Sequence, residues 1–266
     1  MGGGWPLVLG LLVVGFWVTV AATVSLWPLD DPLQMVAKRL QPPSAAHLLG
    51  TDALGRDVLS RTLHGATFSI AIAIVVVVAA AAIGIFLGAI AGFFGGILGG
   101  AIMRLVDVTL AFPPILLAMA VAATLGPGLE NAAIAMILVW WPLYARLMRA
   151  QVLEVREREH VEAAVAAGAG PFRVLFKHVL PLCFTPVLIN ATMDFGQVVL
   201  LAASLSFIGL GATPPTPEWG AMISEGAKQF YHWWIALGPG LAILTVVLGF
   251  NFVGDGLRDL LDPQTD

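Results

Sequence analysis

Charge is scarce in this sequence. Only 11% of its 266 residues are Asp, Glu, Lys or Arg, while 59% are hydrophobic. Soluble domains carry about 25% charged residues, so the surface is expected to face lipid. Basic residues number 13 against 17 acidic ones, a net charge of −4, which leaves no electrostatic case for nucleic acid. Cysteine occurs once, at Cys183, so no intrachain disulfide can form. No glycine-rich loop ends in Lys-Ser or Lys-Thr, so a phosphate cradle for ATP is missing. The histidines, His47, His64, His160, His178 and His232, show no paired ligand spacing. Glu159-His160 lacks the second His of a zinc-protease helix. Gly254-Asp255 lacks the partner aspartate motif of an intramembrane protease. Neither a catalytic set nor a metal set is therefore expected.

What the chain has instead is long apolar runs. Six stretches are long enough to span a bilayer: about 5–27, 67–92, 107–126, 131–149, 182–210 and 235–254. Each must be helical, because backbone groups in lipid have no water to bond. The expected fold is all-α integral membrane: six transmembrane helices in one domain over 1–266, without tandem repeats. The first run exceeds the 7–15 apolar residues of a signal peptide and has no basic residue before it, so it reads as a retained span. The segment after the fourth span holds Arg146, Arg149, Arg156, Arg158, Arg173 and Lys177. Cytoplasmic loops are enriched in such residues. Placing it inside puts both termini inside, with eight of the 13 basic residues inside and five outside. Trp140, Trp141 and Tyr144 read as an interfacial belt closing the fourth span.

Glycine and proline punctuate these runs. Gly84, Gly88, Gly92, Gly96 and Gly100 recur every four residues, a spacing that makes one smooth helix face. It reads as a close-packing seam through Gly92 followed by a turn. Whether the seam slides or is static stays open. Pro113, Pro114 and Pro142 each remove a helix hydrogen bond and can end or kink a helix.

Residues 150–181 carry the densest pattern. Glu154 and Arg158 are four apart and can pair across a helical turn. Ala163, Ala164, Ala166 and Ala167 favour helix and permit close docking. Gly168 and Gly170 can stop that helix in a left-handed cap, and Pro171 suits a first helical position. Phe172, Leu175, Phe176, Val179 and Leu180 form an apolar face, and Pro181 closes the unit. The result is a helix–turn–helix. From physics alone it is either an interfacial anchor or a docking element.

Glu162-Ala163-Ala164, then Gly168, then Leu180-Pro181, resemble the EAA loop of binding-protein-dependent ABC importer permeases. Other tracts look like the dipeptide, oligopeptide and nickel (DppC/OppC) branch of that family. They are His47-Leu48-Leu49-Gly50-Thr51-Asp52 followed by Leu54 to Arg61, Arg104 to Asp107 with Ala111-Phe112-Pro113, Trp141 to Arg146, Ser204 to Gly211 with Pro214 to Gly220, and Gly254 to Asp259 with Asp262-Pro263. The resemblance implies that Glu162, Ala163, Ala164, Gly168, Ala169, Gly170 and Pro181 form a cytoplasmic coupling loop that docks on an ATPase. It also implies an assembly with a second related permease, two ATPase subunits or domains and an extracytoplasmic substrate-binding protein. ATP and Mg would be held by the ATPases, with no cofactor on this chain. The implied place is the inner membrane, and the implied cargo is di- or oligopeptides or similar small solutes.

Asp194 lies inside the fifth apolar run, where a carboxylate costs about 2.5–3.5 kcal/mol at the bilayer centre. It is a candidate for the translocation path or for a structural hydrogen-bonded role. Asp52, Arg56, Asp57, Glu218 and Trp219 are candidates for an outer gate or for contact with a binding protein, and Asp52, Arg56 and Asp57 equally for a turn-stabilising ion pair. The competing class is a membrane scaffold or an intramembrane enzyme with no ATPase partner.

Overall fold

The computed structural model describes residues 4–261, so Asp262-Pro263 of the C-terminal tract lie outside the described residues. The elements are α1 (Gly4–Thr23), a 3₁₀ turn at Val24–Leu26, α2 (Val58–Phe93), α3 (Gly96–Leu110), α4 (Pro114–Leu125), α5 (Leu129–Val155) and α6 (Glu159–Ala166). There follow α7 (Pro171–Arg173), a π-helical stretch Val174–Val179, α8 (Leu180–Ile208), α9 (Trp219–Ala227) and α10 (Trp234–Leu261). Among the described residues the β pairing is one isolated bridge, Thr51 to Asp57. Five helical stretches are long and apolar enough to cross a membrane, and α3 with α4 makes six if that bent pair is one span.

Three elements depart from the sequence expectation. The second crossing starts at Val58 rather than near 67. At 1.5 Å per residue its 36 residues reach about 54 Å, well beyond the hydrocarbon thickness. The surplus first turns bury Ser60, Arg61 and Thr62 beneath other chain segments. The third crossing is broken, with α3 and α4 bent by 92°. Pro114 opens α4, and Pro113 before it is held extended at ψ 128, as a residue preceding proline must be. Pro181 does not close a separate helix, because Pro171–Ile208 runs on as one helical stretch. The chain accommodates the missing Pro181 N–H by widening, so that Leu180 N donates to Leu175 O five residues back.

The tightest seam joins α2 to α5. A Cβ on Gly84 would lie 2.5 Å from Trp141 O, one on Gly88 2.4 Å from Ala145 O, and one on Gly92 2.9 Å from Val152 Cβ. The missing side chains let two backbones meet, the arrangement that drives helix association in lipid. The face ends at Gly92. Gly95 and Gly96 take φ of 61° and 59°, values that glycine adopts without steric cost, and the chain turns into α3. Trp140, Trp141 and Tyr144 are not an interfacial belt. They are buried against this seam, because α5 runs on to Val155 and turns them inward. A second close approach joins α1 to α10, where Gly10 faces Gly249 and Gly256 faces Leu7. Trp17 extends it, donating from Nε1 to Thr245 Oγ1 at 3.0 Å and meeting Trp219 edge-on at 5.2 Å.

Candidate functional site

Three groups of candidate residues sit at different depths. At one end of the bundle α6 projects beyond the last turns of α2 and α5. Its root is fixed. Val161, Val174 and Leu175 are buried, and Arg156 Nη1 donates to Gly92 O at 3.0 Å, tying the end of α5 to the end of α2. Glu154 and Arg158 meet at 2.8 Å on the solvent side. The rest of α6 is bare: Glu162, Ala163, Gly168 and Gly170 are exposed, Ala164 and Ala169 half-buried, and Val165 is 57% exposed.

The end of α6 is set by local chemistry. Gly168 takes φ 83° and its N–H donates to Val165 O at 2.9 Å, while Ala169 N–H donates to Ala164 O at 3.0 Å. These paired bonds are a Schellman cap, which satisfies the last helix carbonyls and needs a left-handed residue. No atom lies within 4 Å of where a Gly168 Cβ would be, so the glycine serves conformation rather than packing. Pro181 lies at the start of α8, removed from the α6 tip in sequence and exposed.

Asp194 is half-buried on the stripe of α8 that includes buried Val187, Val198 and Leu201. Asn190 Nδ2 lies 3.5 Å from its Oδ2. Trp140 and Tyr144 of α5 face the same carboxylate. Both are buried, and Trp140 Nε1 and the Tyr144 hydroxyl make no other hydrogen bond among the described residues. The polar groups thus converge where α5 meets α8. Sequence alone marks Asp194 as a mid-span carboxylate, whereas the inward turn of Trp140 and Tyr144 shows only in the fold.

At the opposite end from α6, the outer candidates gather into one buried brace. Asp52, Arg56, Asp57, Glu218 and Trp219 are each at most 6% exposed. Asp52 Oδ1 accepts from Leu54 N and Arg56 N, and its Oδ2 accepts from Arg56 Nε at 2.6 Å. Arg56 Nη2 reaches Glu225 on α9 at 3.1 Å, and Arg61 approaches both carboxylates at 3.5 Å. Glu218 accepts from Ala221 N as the cap of α9 and from Ser69 Oγ of α2. Trp219 Nε1 donates to Thr62 O at 2.8 Å. These side chains lock the 50–57 loop and α9 onto the head of α2, with Asp52, Arg56, Asp57, Arg61, Glu218 and Trp219 buried and Glu225 28% exposed. Sequence reasoning did not single out Arg61 or Glu225 as site residues. Glu225 offered no signal, since its partner Arg56 is 169 positions away.

A family model described as binding-protein-dependent transport system inner membrane component matches residues 84–266. The dipeptide transport system permease protein DppC of Alkalihalophilus pseudofirmus is 43% identical, with 97% of this chain and 85% of the relative covered. The di/tripeptide transport system permease protein DppC of Pseudomonas aeruginosa is 46% identical over 96% of this chain and 88% of its own length. The probable D,D-dipeptide transport system permease protein DdpC of Escherichia coli is 46% identical over 85% and 76%. Among solved structures, an inward-facing MetNI methionine ABC transporter chain is similar with a TM-score of 0.58. The match covers 73% of this chain and 94% of that one. At 20% identity that likeness carries the fold alone.

Proposed function

The chain belongs to the binding-protein-dependent transport system inner membrane components, and from that premise we propose that it is one half of the membrane path of an ATP-driven importer of short peptides. Its partners in this reading are a second, related permease, two ATPase subunits or domains that bind ATP and Mg, and an extracytoplasmic substrate-binding protein. The peptide cargo is taken from the relatives, several of which are named as dipeptide or peptide permeases. The side carrying α6 is assigned to the cytoplasm with both termini, in keeping with the basic residues clustered there. The braced end then faces outward.

The observation that carries the coupling role is the contrast within α6. Its tip, from Glu162 to Gly168, is exposed apart from half-buried Ala164, while Val161 at its root is buried and Arg156, just before it, ties the end of α5 to the end of α2. A stiff element with a free face is what a moving partner needs to push on. A ligand shifts a two-state equilibrium only through its different affinity for the two states. Nucleotide on the ATPases can therefore move the crossings only if α6 stays engaged and does not fold up on itself. The Schellman cap at Gly168 supplies that stiffness at the helix end. The buried outer brace is assigned to keeping the 50–57 loop and α9 moving as one piece with α2, and Asp194 to the path or its wall.

Gly168→Pro cannot take φ 83° and loses the N–H that caps α6, and Glu162→Lys reverses the charge of the exposed face. Both variants are expected to insert and assemble, to bring down the ATPase subunits, and to lose uptake while ATP hydrolysis no longer responds to substrate. Normal uptake together with normal substrate-stimulated hydrolysis in both variants would remove the coupling role. Failure of the wild-type chain to co-purify with any ATPase would favour the scaffold reading instead.

A further inference from the structure

Asp30, His47 and Asp57 lie 17 and 10 positions apart in the connection between α1 and α2, and no ligand motif in the sequence pairs them. In the fold, one ligand atom from each lies within 4.8 Å of the others. His47 Nδ1 is 2.9 Å from Asp57 Oδ2. The other oxygen of Asp57 is engaged as the cap of α2, accepting from Ser60 N at 2.7 Å. Asp30 is brought in by its backbone rather than its carboxylate, since Ser60 Oγ donates to the Asp30 carbonyl. Arg61 Nη1 holds the next turn of the same segment through Pro32 O at 3.2 Å. The Asp30 carboxylate is left pointing at the other two groups, with no hydrogen-bond or ion partner of its own among the described residues.

The local charge balance points to a cation. Arg56 and Arg61, which flank Asp57 in the chain, are paired with Asp52 and Glu225. Two carboxylates therefore converge with a single imidazole and no Lys or Arg salt-bridge partner among the described residues. Neighbouring carboxylates disfavour each other's charged form, and a cation between them removes that cost. One imidazole nitrogen with two carboxylates is a donor set for a borderline divalent ion of the zinc and manganese class, whereas calcium and magnesium favour all-oxygen sets. Bonds of 2.0–2.2 Å place tetrahedral ligand atoms about 3.3 Å apart. The exposed Asp30 side chain can swing inward to close the remaining gap, and the buried Asp57 gives the site a fixed floor.

We propose that Asp30, His47 and Asp57 form a divalent transition-metal site at the end of the bundle opposite α6. Bound metal staples the segment after α1 and the loop before α2 onto the first turn of α2. The site is separate from the coupling element and does not depend on the nature of the cargo.

The test uses the permease purified with its partner subunits in lipid nanodiscs, stripped with chelator and dialysed against Zn²⁺ or Mn²⁺. Metal per complex is then counted by elemental analysis. The two variants are Asp30→Asn, whose side chain is exposed and caps no helix, and His47→Gln. Wild type is expected to hold one more equivalent than either variant, with affinity at the site weakened at least about tenfold in each. Chelation should lower the thermal midpoint of the wild type and leave that of Asp30→Asn unchanged. Size-exclusion profiles identical to wild type show that the variants assemble. Equal metal content in wild type and an assembled Asp30→Asn variant overturns the site, and leaves the cluster as a His47–Asp57 hydrogen bond that Asp30 merely adjoins. Should His47→Gln fail to assemble, Asp30→Asn decides alone.

Discussion

Replacing Gly88 by alanine tests whether the α2–α5 seam is a contact of backbones or a mere repetition of small residues. The added Cβ would sit 2.4 Å from Ala145 O and 2.9 Å from both Ala145 Cα and Met148 Cβ. Ordinary contact begins near 3.4 Å, so the helices must part by about 1 Å, and no flexible side chain can yield in their place. Overpacking of this kind costs about 1–3 kcal/mol. Parting the helices also thins the contacts at Gly84 and Gly92, since a gap of 0.5–1 Å forfeits a quarter to a half of the dispersion well. Against this, alanine gains at most about 1 kcal/mol of helix propensity. A net loss of about 1–2 kcal/mol follows. Gly100→Ala is the matched control. It belongs to the same four-residue series, but nothing lies within 4 Å of its Cβ position. There the propensity gain stands alone, at about 0.5–1 kcal/mol. Heating the purified complex at one fixed rate and following the monodisperse fraction should show Gly88→Ala lowering the midpoint by roughly 2–8 °C. Gly100→Ala should leave it level or slightly raised. A Gly88→Ala complex as stable as wild type, or two variants that shift together, would refute the reasoning.

The outer brace gives a graded pair. Asp52→Asn removes the more buried of the two carboxylates shared by Arg56 and Arg61 and is expected to cost about 3–5 kcal/mol, seen as loss of assembled complex. Glu225→Gln, at a carboxylate 28% exposed, should cost no more than about 1 kcal/mol in the same assay. Trp219→Phe removes the donor to Thr62 O and should lower stability by about 1–2 kcal/mol in thermal unfolding. Asp194→Asn should reduce uptake more than assembly if the carboxylate serves the path; equal loss of both assigns it to the α5–α8 contact alone.

The parts of the fold legible in sequence are those governed by local chemistry. Apolar runs announce crossings because lipid forbids unbonded backbone. The turn after Gly92 was legible because the glycines cluster where the apolar pattern breaks. Gly168 was legible as a helix stop because its role is conformational, requiring nothing beyond neighbouring carbonyls. Proline was only half legible. Pro113-Pro114 do break a crossing, yet Pro181 is absorbed by a π-helical turn that no proline count foretells.

The sequence by itself determined that this chain lives in a bilayer, that a helix stops at Gly168, and where a lone carboxylate meets lipid depth. Those outcomes follow from residues within a few positions of one another. Only the tertiary structure decided that Trp140 and Tyr144 turn inward towards Asp194. It likewise decided that Asp52, Arg56, Arg61 and Glu225 share one buried network, and that Asp30, His47 and Asp57 converge. Side chains on different helices meet according to how those helices rotate and cross. That rotation is set by backbones closing on Gly84, Gly88 and Gly92, a contact energy that no single segment contains.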